Sequence, residues 1–83
     1  MSDESGPLDL RIHMQGTRVR IWRERLRRLG YEVAPDESDY FDAKLEARTL
    51  EFQRDNRLRA TGIVDDRTLS VARAKTEPGG TKL

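Results

Sequence analysis

Cysteine is absent from this 83-residue chain, which removes disulfides, thiolate metal sites and a thiol nucleophile together. Histidine occurs once, at His13, too seldom for the ligand sets that most zinc sites use. No apolar run approaches the roughly 20 residues of a membrane helix, so no membrane partner is expected. The opening MSDES is acidic and polar with no apolar stretch behind it. No signal peptide is expected there, and the chain is read as cytoplasmic or as delivered within a larger assembly. A large excess of one charge is also missing. Lys and Arg total 16 against 15 Asp and Glu, a net charge of +1, which argues against a nucleic-acid partner.

What is present is a small globular domain. Hydrophobic residues make up 35% and charged residues 37%, so nearly every large apolar side chain is needed for the core. Residues 1–13 read as an N-terminal arm, 14–75 as the domain and 76–83 as a loose tail. In the arm, Leu8, Leu10 and Ile12 alternate with Asp9, Arg11 and His13, a period of two that fits an extended segment lying on the domain. His13 falls on its polar side and is expected at the surface.

Thr17 is a candidate N-cap for a first helix over 18–29. Val19, Trp22, Leu26 and Leu29 recur at helical spacing and form one buried stripe. Trp22 sits in the middle of it and is read as core rather than as a ligand platform. Arg18, Arg20, Arg25, Arg27 and Arg28 take the other face, with Arg23 and Glu24 nearby; Ile21 lies off the stripe and is expected against the arm. Gly30 suits the left-handed position after a helix. The loop 34–39, APDESD, leads to Tyr40, expected to point outward, and Phe41, expected to point inward. Asp42 can cap a second helix that carries Leu45, Thr49 and Phe52 inward and ends near residues 55–56. Leu58, Gly62, Ile63 and Val64 form the link. Asp65 or Asp66 caps a third helix to about Ala74 that buries Leu69 and Ala72.

Taken together these features give an all-α fold, a small three-helix bundle with irregular connecting loops. The order Gly16, Val19, Trp22, Leu26, Leu29-Gly30-Tyr31, then Phe41, Lys44, Ala47, Phe52-Gln53, then Leu58, Gly62-Ile63-Val64 and Thr68 resembles the peptidoglycan-binding domain, from Gly16 to about Ala72. The chain departs from that family's pattern where Arg23 replaces a Gln, Ser38-Asp39 replace Asp-Gly, and Asp42 and Asp65 replace glycines. Leu45 replaces a Thr, Arg48-Thr49 an Ala-Val pair and Thr61 an Asp. Loop glycines are thus exchanged for bulkier charged residues while the scaffold residues stay.

The resemblance implies a non-catalytic module that binds cell-wall peptidoglycan in a shallow groove between loops and helix ends. Polar side chains and an aromatic face would meet such a ligand, and the candidates are Tyr31, Asp39, Tyr40, Arg48 and Thr61. The alternative is a protein-docking adaptor that keeps the fold in a phage-tail-like or other assembly. No catalytic residue, metal site or cofactor is expected. No Ser-His-Asp spacing or phosphate loop occurs, and acid pairs such as Asp36-Glu37 and Asp65-Asp66 belong to loops and caps.

Overall fold

The computed structural model describes residues 9–33 and 39–76. The expectations for 1–8, for the loop at 34–38 and for the tail beyond 76 lie outside the described residues. Three helices follow in order, α1 Thr17–Arg28, α2 Ala43–Asp55 and α3 Asp66–Thr76. The third helix therefore runs two residues past the expected Ala74, and Thr76, expected in the tail, closes it. The described residues hold no strand, only two isolated antiparallel bridges, Leu10 with Val64 and Gln15 with Tyr40.

Each helix boundary has a local cause. The N-cap of α1 is Gly16, not Thr17, which is the first helical residue. Gly16 has φ 138, a conformation that a side chain would strain. Its N–H is held by the Asp39 carbonyl at 2.9 Å. At the other end Gly30, with φ 98, reverses the chain. The Tyr31 N–H then returns to the Leu26 carbonyl and the Gly30 N–H to that of Arg27, both at 3.0 Å, so two orphan carbonyls of the last turn are met. Asp42 caps α2, its Oδ1 accepting from the Leu45 N–H at 2.9 Å. Asp65 does the same for α3 with the Thr68 N–H at 2.9 Å. Burial works against ionisation of Asp65. Bonds to Thr68, its own N–H and the charge of Arg67 outweigh it and hold the carboxyl below the usual range.

The core is assembled across these elements. Val19, Trp22 and Leu26 of α1 meet Leu45 and Phe52 of α2, Ala72 of α3, and Leu10, Phe41 and Val64 from the connections. Leu29, Leu58 and Leu69 pack at its edge and stay partly exposed. Leu10 enters the core because its backbone pairs with Val64 through bonds of 3.1 and 2.8 Å. Phe41 is drawn inward in the same way, by bonds of 2.8 Å to the Met14 carbonyl and from the His13 N–H. Strand-like alternation then turns Tyr40 out, 40% exposed, while Phe41 is fully buried.

Apart from Arg23 Nε, the buried side-chain polar atoms among the described residues are paired. Trp22 Nε1 donates to Thr49 Oγ1 at 3.0 Å, and that hydroxyl donates to the Leu45 carbonyl at 2.8 Å. Gln53 is a hub: its Oε1 accepts from the N–H groups of Thr61 and Gly62, and its Nε2 donates to the Ile63 carbonyl and the Thr68 hydroxyl. Two α1 residues differ from the sequence expectation. Ile21 is 50% exposed rather than covered, and Arg23, expected near the polar face, is 3% exposed. Arg23 stands four after Val19 and three before Leu26, so the helical repeat itself puts it on the core side.

Candidate functional site

Several concave regions lined by described residues border the bundle. The first, of about 460 Å³, lies where the segment after α1 passes the start of α2 and is lined by Arg23, Glu32, Val33, Asp42, Lys44, Leu45 and Arg48. Arg23 lies at its buried end. Its Nη2 donates to the Tyr40 carbonyl at 2.8 Å, and Asp42 Oδ1 stands 3.9 Å away, beyond hydrogen-bond reach. Its Nε is buried and has no partner among the described residues. A buried donor left so costs about 1–3 kcal/mol. Arg48 leans toward Glu51 at 2.8 Å, an i,i+3 pair with side chains 35% and 48% exposed; pairs of this kind hold weakly.

The second region, of about 450 Å³, is lined by Leu29, Tyr31, Phe52, Asp55, Asn56 and Lys75. The Tyr31 ring meets Phe52 edge-on at 5.9 Å, and its hydroxyl donates to Asp55 Oδ2 at 2.6 Å. Burial first, then the bond to Asp55 and the charges of Asp55 and Glu51, push the phenol from 10.0 up to about 12. A raised phenol stabilises the fold fully below pH 10, and the contribution is lost as pH rises through about 12. Alkaline titration followed at the phenolate absorbance is expected to give a step near 12 that Tyr31→Phe removes. A parent whose phenolate absorbance is complete near 10 would contradict this geometry.

The third region, of about 380 Å³, surrounds Ile21 with Arg20, Glu24, Arg25 and Arg28. Glu24 pairs with Arg27 and Arg28, and Arg25 donates to the Thr76 hydroxyl at 2.7 Å.

The five sequence-derived candidates fall in different places. Arg48 lines the first region and Tyr31 the second. Asp39, Tyr40 and Thr61 line none of the three. Asp39 is half-buried, its carbonyl bound by Gly16. The Tyr40 hydroxyl shares a 2.8 Å hydrogen bond with His13 Nδ1. The Thr61 hydroxyl accepts from the Ile63 N–H at 3.1 Å and its own N–H is held by Gln53. Sequence reasoning passed over Arg23, Glu32, Asp42 and Lys44 as site residues. Only Arg23 carried a readable signal, its place on the apolar repeat. Among the described residues no group of three His, Asp or Glu side chains is placed to hold a metal ion, and no helix is long and apolar enough to cross a membrane.

No curated protein matches the chain. Among solved structures, the endolysin of Burkholderia phage AP3 superposes with a TM-score of 0.75 at 24% identity, over 81% of this chain and 25% of that one. A periplasmic domain of the EpsAB fusion protein of the Vibrio vulnificus type II secretion system gives 0.69 at 26% identity, over 90% of this chain and 38% of that one. The chain thus spans well under half the length of either. Residues 15–71 match the family model of the peptidoglycan binding domain.

Proposed function

The chain belongs to the peptidoglycan binding domain family, and from that premise we propose that it is a non-catalytic module that holds cell-wall peptidoglycan. The match over residues 15–71 carries this reading. The first groove supports it: cations and carboxylates line it together with the apolar side chains Val33 and Leu45, which suits a polymer of amino sugars and short charged peptides. Arg48 in that groove and Tyr31 in the second are the contact residues we favour. Tyr40 offers an exposed ring beside them in the candidate set, and Asp39 and Thr61 contribute through the loops they close. On this reading the module meets the polymer outside the cytoplasm, carried there within a larger assembly.

The likeness to the secretion-system domain over 90% of the chain favours a second reading. In that reading the fold serves as a docking adaptor and the partner is a protein. One experiment separates the two. The chain is expected to sediment with sacculi that have been stripped of protein, well above a control protein of equal size and charge, at low salt. No retention on stripped sacculi, with capture only by sacculi that keep their proteins, would overturn the first reading in favour of the second.

A further inference from the structure

Arg23 is a charged side chain 4% exposed, and the described residues around it do not use it up. A guanidinium carries five N–H donors. The bond to Tyr40 takes one, and Nε has no partner among the described residues. Among the described residues the carboxylate paired with it, Asp42, already spends its Oδ1 on the Leu45 N–H that starts α2. A cation so placed is under-compensated, and it sits at the end of an open groove rather than in a sealed core. Arg48 and Lys44 bring two further cations to the same groove, Glu32 and Asp42 two anions. Three positive charges against two negative leave an excess of one.

Resting on the peptidoglycan reading above, we propose that this groove is a subsite for a peptide end that carries a free carboxylate beside an ammonium group. The carboxylate takes the place left at Arg23, with Arg48 released from Glu51 at small cost and Lys44 at the rim. Glu32 and Asp42 receive the ammonium. Val33 and Leu45 wall the space between and fit a short aliphatic side chain. Charges of both signs in one groove select a zwitterionic peptide over a phosphate diester, which has no cation to offer the two carboxylates.

The test uses the full chain and three forms of one preparation of protein-free sacculi: untreated, with peptide carboxylates converted to amides, and with phosphate polymers removed by acid. Amidation is expected to weaken binding about tenfold or more, the loss for one charge-assisted contact, and phosphate removal to leave it unchanged. Arg23→Gln and Arg48→Gln should each weaken binding to untreated sacculi about tenfold and change binding to amidated sacculi little. Arg48 is partly exposed, so its variant reports even if Arg23→Gln fails to fold. Equal binding of untreated and amidated sacculi overturns the carboxylate subsite and leaves the peptidoglycan reading standing. Loss on phosphate removal alone assigns the groove to a phosphate polymer and overturns it too. Binding to none of the three removes both.

Discussion

Phe52→Ala is expected to leave most of the chain unfolded at room temperature. The Phe52 side chain is fully buried and receives two rings at once, Trp22 at 5.7 Å and 83°, and Tyr31 at 5.9 Å and 76°. Edge-to-face pairs add to simple burial. Truncating such a phenylalanine costs about 3–5 kcal/mol, transfer and cavity together. A domain of this size has about 5 kcal/mol or little more to lose. Trp22 reports the outcome directly, because its indole packs on the deleted ring and its fluorescence shifts when water reaches it. Urea titration of parent and variant decides the matter. A cooperative transition within about 1 kcal/mol of the parent would mean that the two rings do not depend on Phe52.

The second large effect falls on Gln53→Leu, a change that keeps volume and removes only polarity. The lost amide served four partners at 2.9 to 3.1 Å, the N–H groups of Thr61 and Gly62, the Ile63 carbonyl and the Thr68 hydroxyl. Gly62 and Thr68 are buried, so water does not replace the side chain there. Leaving these groups unmet is expected to cost about 3 kcal/mol. Gln53→Glu gives the control. A carboxylate still accepts from Thr61 and Gly62 but faces the Ile63 carbonyl with a second acceptor. Burial and that carbonyl raise the new carboxyl in the folded state, so the variant should be most stable in acid and lose stability as pH rises through the raised value. Denaturation of both variants at acid and neutral pH, with amide exchange at Gly62, checks this. A Gln53→Leu stability within about 0.5 kcal/mol of the parent would show the hub to be dispensable.

The fold was legible wherever a periodic signal and its partner lay within one helix. The spacing of Val19, Trp22 and Leu26, the left-handed Gly30, the Asp42 cap and the outward Tyr40 beside inward Phe41 all read directly from local chemistry. Leu10 was not legible as core, because its burial comes from a backbone pairing with Val64 across 54 positions (64 minus 10). Gln53 could be seen as part of a motif but not as the hub of the link, since its four partners follow it by eight residues or more. The same limit governs the site. The family resemblance points to polar side chains near loops, and of these Arg48 and Tyr31 line concave regions. The Thr61 hydroxyl bond to the Ile63 N–H spans only two residues and is a local turn contact. That Arg23 lies on the core side follows from the helical repeat, but that it lines a groove depends on Glu32, Val33 and α2 arriving alongside.

The pairing of Leu10 with Val64 has a practical side for anyone transplanting this module. A recombinant fusion that joins a new enzyme at Met14 would cut away the lid over the approach to α3 and leave an apolar valine wet. Splicing ahead of position 9 keeps Leu10, so the graft inherits a module already clasped between its first described segment and the start of α3.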